Sequence, residues 1–175
     1  AAELKIELFK NDYRHLNTDS DSEVLLNILA HQIQEVVSGY SLDPVSLFRA
    51  VAMLHRRVRG SYAVVAQIAG HGMLAFRDPY GIRPLCLGSA QTDNGVEYML
   101  ASESVALEGT GFRFERDVAP GEAIFIDLDG KLYSEQCAEN PSLNPCAFEY
   151  VYLARPDSTI DGTSVYQTRL NMGKY

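Results

Sequence analysis

Cysteine is scarce and poorly placed for paired chemistry. The three thiols, Cys86, Cys137 and Cys146, are odd in number, widely spaced and without a C-x-x-C pair. That excludes a disulfide framework and leads to the expectation of reduced thiols in a cytoplasmic protein. Positive charge is also short, since 15 Lys and Arg stand against 23 Asp and Glu for a net charge of -8. Such a field repels a phosphate backbone, so no nucleic-acid partner is expected. Long apolar runs are missing too: Arg49, then Arg56 and Arg57, interrupt the best candidate before it nears the roughly 20 residues that span a bilayer, and no membrane partner is expected. The opening residues, Ala1-Ala2-Glu3-Leu4-Lys5-Ile6-Glu7, mix charge with apolar side chains and lack the apolar core of a signal peptide. The histidines, His15, His31, His55 and His71, lie too far apart for a local metal motif and read as surface or capping groups, with His71 a turn residue between two glycines.

What is present is patterned. The 175 residues are enough for one full core, or for one domain and the start of another. Ser20-Asp21-Ser22-Glu23 has the S-x-x-E form of a capping box, and Leu25, Ile28, Leu29, Ile33 and Val36 follow at helical spacing. A second helix is expected from Asp43 as cap and Pro44 at the first helical position, with Leu47, Val51, Leu54 and Val58 as its apolar face and Gly60 to end it. From Ser61 the period falls to two. Tyr62, Val64, Ala66 and Ile68 alternate with Ala63 and Val65, which predicts a strand covered on both faces. Turns at Gly70-His71-Gly72, Asp93-Asn94-Gly95 and Asp129-Gly130 separate further short strands. Two helices and then many strands predict a layered α+β domain. Asn140-Pro141-Ser142-Leu143-Asn144-Pro145 is the best candidate linker, and a last helix could open at Ser164. Some 30 residues beyond the linker are expected to be too few to bury a core of their own.

Two segments carry a resemblance. Ala75-Phe76-Arg77-Asp78-Pro79-Tyr80-Gly81-Ile82-Arg83-Pro84 joins two apolar runs through a charged Pro/Gly turn. It resembles the glutaminase half of the glutamine amidotransferases whose nucleophile is an N-terminal cysteine. Phe148-Glu149-Tyr150-Val151-Tyr152-Leu153-Ala154-Arg155-Pro156-Asp157-Ser158 is similar to the start of the phosphoribosyltransferase half in the amidophosphoribosyltransferase family. The likeness covers nearly the whole chain and is weakest at 88–95 and 134–144. It implies a four-layer αββα N-terminal-nucleophile hydrolase sandwich, incomplete here, over residues 1–139. It further implies a linker and the start of an α/β type I phosphoribosyltransferase domain over 140–175.

The same resemblance implies the chemistry. Glutamine would be hydrolysed and the ammonia passed to phosphoribosylpyrophosphate, giving 5-phosphoribosylamine at the opening of purine synthesis. The nucleophilic cysteine uses its own α-amine as base, and it is expected upstream of Ala1. No catalytic residue is therefore assigned in this chain, and the isolated piece is expected to be inactive. Asp21 matches the aspartate that binds the α-ammonium of glutamine. By pattern alone it is a capping residue, and Asp19 beside it could attract the same cation or sit in solvent. Phe148 and Tyr152 match residues that line the ammonia channel and tie the domains together, whereas the pattern alone reads 148–153 as a buried strand or helical turn. Arg77 and Arg83 invite a phosphate-binding reading, but structural pairs are the expectation, with Glu103 a plausible partner. Mg²⁺ belongs to the parent reaction, with its ligands expected elsewhere. Cys146 approximates a position that ligates an iron–sulfur cluster in some relatives, though one thiol makes no cluster site. A homo-oligomer is expected. An asparagine-synthetase-type glutaminase shares the Arg-Asp-Pro turn, but Ala154-Arg155-Pro156-Asp157-Ser158 speaks against it. A noncatalytic α+β binding module on the same scaffold is the remaining alternative.

Overall fold

A computed structural model describes residues 2–37, 42–93 and 95–174. Ala1 and Tyr175 at the chain ends, and the Asn94 corner of the expected Asp93-Asn94-Gly95 turn, lie outside the described residues. The chain divides into two compact units, Ala1–Arg59 and Gly60–Tyr175.

The first unit is helical. Helix α1 spans Ala2–Asn11, α2 Asp21–Val36 and α3 Pro44–Arg57. The composition of the N-terminus had not pointed to α1, because its short length and mixed charge blur the helical period. Its Leu8 is fully buried all the same. In α2 the buried side chains are Val24, Ile28, Leu29 and Gln32, so the inward face is turned by one position from the expected row. Helix α3 begins as read: Asp43 is the N-cap, its carboxylate accepts the Ser46 N–H at 2.8 Å, and Pro44 opens the helix. Such a cap is worth about 1 kcal/mol. The end differs. Val58 leaves the helix in an extended conformation while its N–H still bonds Leu54 O at 2.8 Å, so the β-branched residue stops the helix ahead of Gly60. His55 is buried rather than at the surface, because it falls one residue past Leu54 on the inward side of α3. Asp12 joins the helices, bonding Arg57 and lying 3.5 Å from His31 Nε2.

The second unit holds two antiparallel sheets. Strands β1 (Ala63–Ile68), β2 (Gly72–Arg77), β6 (Glu122–Asp127) and β7 (Leu132–Gln136) lie in the order β1-β2-β6-β7, and β4 (Gly95–Ala101), β3 (Cys86–Thr92) and β5 (Arg113–Asp117) in the order β4-β3-β5. Helix α4 (Ser104–Gly109) links β4 to β5. Ala75 and Ile124 of the first sheet pack with Leu87 of the second and with Leu85 and Val118, which flank β3 and β5, beside Tyr98, Leu100, Ile126 and Leu132. The alternate residues Leu74, Phe76, Ala123 and Phe125 are buried as well. Burial on both faces therefore belongs to the central strands β2 and β6. β1 is an edge strand, with Ala63, Val65 and Gln67 exposed, which corrects the expectation drawn from its apolar alternation. The β1–β2 and β6–β7 turns form where Gly70 and Gly130 take positive φ. Mid-sheet, Gly72 is pressed so close that an added Cβ would lie 2.1 Å from Ile126 O.

From residue 140 the chain stays with this unit. The Asn/Pro stretch is strapped along the Pro/Gly turn by Ser142 N–H to Pro79 O (3.0 Å), Asn144 N–H to Tyr80 O (2.7 Å) and Cys146 N–H to Ile82 O (3.2 Å). It then forms a π-helical turn at Glu149–Leu153, a two-residue hairpin of β8 (Thr159–Ile160) and β9 (Thr163–Ser164), and helix α5 (Val165–Met172), capped as expected by Ser164. Tyr150, Ala154, Ile160 and Val165 make a small buried cluster of their own, so these residues do gather a minor core, anchored to the sheets by buried charge.

Candidate functional site

The segment leading into α2 carries three carboxylates, and the fold gives each a different fate. Asp19 pairs with Lys5 Nζ at 2.8 Å, which holds its carboxyl below the ordinary carboxylate range. The pair ties the loop to α1 although the Asp19 side chain itself remains fully exposed to solvent. Glu23 does not close the expected capping box on Ser20 N–H. It reaches further back, accepting Asn17 N–H at 2.8 Å, Thr18 N–H at 2.7 Å and the Thr18 hydroxyl at 2.6 Å. The Asn17 N–H first, then Thr18, hold the Glu23 carboxyl below its ordinary value. Ser20 remains the N-cap through its hydroxyl, which accepts Ser22 N–H at 3.2 Å. Asp21, at the first helical position, is exposed and makes no hydrogen bond or ion pair among the described residues. The arrangement leaves one uncommitted carboxylate on a fixed backbone, suited to receive a cation.

The Arg77–Arg83 turn is a structural knot. Arg77 is fully buried and all five of its N–H donors are used: Nε to Arg83 O (2.7 Å), Nη1 to Val118 O and Asp161 Oδ1 (both 2.8 Å), and Nη2 to Gly81 O and Asp161 Oδ2 (both 2.8 Å). Burial works to lower its pKa, but the hydrogen bonds and charge of Asp161 carry it above the usual arginine value. Asp78, also fully buried, accepts backbone N–H groups from Tyr80, Ile82 and Arg83. Gly81 adopts φ +57°, where an added Cβ would meet Leu143 and Pro120 at 3.0 Å. Arg83 pairs with Glu149 at 2.9 Å. Both arginines thus find carboxylates, as expected, but neither partner is Glu103. That residue instead accepts Arg155 N–H at 2.8 Å and the Ser158 hydroxyl at 2.6 Å. The partners the fold supplies, Asp161 and Glu149, come from the C-terminal segment.

That segment displays Phe148 and Tyr152. The rings meet edge to face, centroids 5.7 Å apart, and are 59% and 64% exposed. The helical-turn reading of 148–153 thus holds, but not its burial: Phe148, Val151, Tyr152 and Leu153 are exposed. Only Glu149 and Tyr150 are buried, while Phe148 and Tyr152, four residues apart, meet on the exposed side of the turn. Arg169 donates to Tyr150 O (2.8 Å) and Ala154 O (2.7 Å), satisfying the carbonyls of the turn. A charged residue inside an aromatic run was the available signal for this clamp. Beside it lies a cleft of about 430 Å³ lined by Tyr62, Arg83, Glu103, Glu149 and Leu153 among others. Asp21 belongs to the first unit, Phe148 and Tyr152 to the second.

Two of the three thiols are buried and poorly placed to act as nucleophiles. Burial, with the charge of Asp117 behind it, pushes Cys86 up to about 12, and burial with Glu135 does the same to Cys137. No three His, Cys, Asp or Glu side chains among the described residues converge on a point that could hold a metal, which leaves Cys146 without the further ligands an iron–sulfur cluster needs.

An α+β chain with a carboxylate held bare at a helix start, and a charged turn knotted between facing sheets, has its counterpart among enzymes that take nitrogen from glutamine. Residues 1–109 match the family described as the glutamine amidotransferase domain, and the chain belongs to that family. Over 174 residues it is 58% identical to the amidophosphoribosyltransferase of Escherichia coli and 57% to that of Haemophilus influenzae, covering 99% of this chain in both cases. The Schizosaccharomyces pombe amidophosphoribosyltransferase is 48% identical over 98% of the chain. Among solved structures, the glutamine phosphoribosylpyrophosphate amidotransferase from B. subtilis, complexed with ADP and GMP, superposes with a TM-score of 0.78 at 35% identity over 99% of this chain. The chain spans 34% of the length of each of these proteins. No helix among the described residues is long and apolar enough to cross a membrane.

Proposed function

We propose that this chain is part of an amidophosphoribosyltransferase and supplies the ammonium grip of its glutaminase site. Glutamine is hydrolysed to glutamate and ammonia, and the ammonia displaces pyrophosphate from C1 of phosphoribosylpyrophosphate to give 5-phosphoribosylamine, the first committed step of purine synthesis. One observation carries the reading: of three acids at the start of α2, Asp21 alone is uncommitted among the described residues, in a chain 58% identical to a protein of that name. Its carboxylate receives the α-ammonium of glutamine through charge-assisted hydrogen bonds. The nucleophile is a cysteine using its own α-amine, outside these residues. Phe148 and Tyr152 present an apolar wall along which neutral ammonia travels without meeting water. The two facing sheets are the inner layers of an αββα sandwich, and residues 140–175 begin the phosphoribosyltransferase half. The enzyme is a cytoplasmic homo-oligomer. Mg²⁺ at the second site would supply charge neutralisation of the diphosphate, and the residues that would hold it lie outside those described.

The test uses the full-length protein that contains this segment. Asp21→Asn is expected to raise KM for glutamine on the order of 10²-fold, the equivalent of roughly 2–3 kcal/mol for one charge-assisted contact, when each rate is normalised to that with ammonium chloride as nitrogen donor. An unchanged glutamine KM refutes the assignment.

A further inference from the structure

Asp21 can hold an ammonium only if its backbone is held first, and the structure assigns that task to Glu23, which we propose is the positioning residue of the glutamine grip. The inference rests on the reading of Asp21 given above. Residues 13–20 have no regular structure, so the N–H groups of Asn17 and Thr18 have no helical or sheet partner to fix them. Both point at one carboxylate. Glu23 Oε1 takes Asn17 N–H, and Oε2 takes Thr18 N–H together with the Thr18 hydroxyl. The same Thr18 oxygen accepts Ser20 N–H at 3.2 Å, and the Ser20 hydroxyl accepts Ser22 N–H at 3.2 Å. A chain of hydrogen bonds therefore runs Glu23, Thr18, Ser20, Ser22 and closes around the backbone of Asp21, yet takes nothing from the Asp21 carboxylate.

A simple cap would stop at Ser20. Glu23 goes three residues further back and spends both oxygens on the approach loop. Lys5 contacts the same loop from α1 through its exposed pair with Asp19. Misplacing a binding group by an ångström is enough to lose much of its effect. Glutamine affinity should therefore respond to Glu23 although this side chain touches no substrate.

The experiment measures steady-state kinetics of the full-length enzyme for Glu23→Gln, Glu23→Ala, Thr18→Val, Asp21→Asn and the double variant Asp21→Asn/Glu23→Ala, with rates normalised as above and melting recorded for each. Glu23→Gln, which keeps one acceptor, is expected to raise glutamine KM by about 5-fold and Glu23→Ala by about 30-fold, with kcat little changed. The double variant should be no worse than Asp21→Asn alone, since Glu23 acts through Asp21. Thr18→Val, milder toward folding, should raise KM by about 5-fold in the same direction. If Asp21→Asn raises KM while the Glu23 and Thr18 variants only lower the melting temperature, Glu23 is a helix-end brace and the inference fails. Additive effects in the double variant overturn it as well. If Asp21→Asn leaves KM unchanged, the functional reading itself fails.

Discussion

Replacing Asp161 by Asn removes one negative charge and turns one of its two acceptor oxygens into an N–H₂ donor that faces the guanidinium. Asp161 sits at φ +48°, a conformation that asparagine tolerates well, so backbone strain does not enter. Its carboxylate takes two of the five donors of Arg77, a side chain with no exposed surface. The other three go to carbonyl oxygens of Gly81, Arg83 and Val118. With Asn in place the guanidinium keeps those three, loses its counter-charge and cannot move to water. Breaking a buried pair from one side costs about 3–5 kcal/mol. The lower end applies here because Asp117 stands close by. Its charge already acts on Arg77 alongside that of Asp161, while burial, followed by the negative charge of Asp161, raises its own carboxyl above the ordinary value. We expect a loss of about 3 kcal/mol, which for a unit of this size lowers the melting temperature by roughly 10–15 °C. Thermal unfolding of the chain followed by circular dichroism reads the shift directly. A change below about 3 °C would mean that the carbonyl oxygens alone solvate Arg77 and that the pair does not anchor the C-terminal segment.

Two further outcomes follow from the chemistry of buried groups. Cys86 and Cys137, with thiols raised to about 12 by burial, should resist iodoacetamide at mildly alkaline pH while the half-buried Cys146 is alkylated first; equal labelling of all three by peptide mass mapping would contradict the burial. Burial pulls the Glu122 carboxyl up, but Arg116, Ser134 and the Ala119 N–H outweigh it and set it below its ordinary value. A carboxyl lowered in the folded state adds stability above its unfolded pKa and loses it as pH falls through the folded one. The urea midpoint should thus fall less steeply with acid in Glu122→Gln than in the wild type, over roughly pH 5 to 3, and parallel slopes would refute this.

Local rules read the local features well. The Asp43-Pro44 start of α3, the turn glycines, the hairpin at Asp129-Gly130 and the Ser164 cap are set by bonds within four residues, and all form where the pattern places them. Errors came where distant partners decide. Two-sided burial was assigned to β1, since alternation shows which residues are apolar but not which strand takes the edge. The Asn/Pro stretch looks like a linker until its N–H groups are seen on Pro79, Tyr80 and Ile82. Within the candidate site, Asp21, Phe148 and Tyr152 were found through resemblance, whereas the role of Glu23 was hidden because the S-x-x-E spacing already gave it a simpler use.

The sequence by itself determined the α+β character, the family-bearing Arg-Asp-Pro turn and the presence of an acid at the start of α2, because periodicity and capping are properties of neighbouring residues. Tertiary structure alone decided which of three acids stays bare and which carboxylates meet the buried guanidinium of Arg77. A charge is committed by whatever lies within about 4 Å of it in space, and for Arg77 that neighbour comes from the far end of the chain.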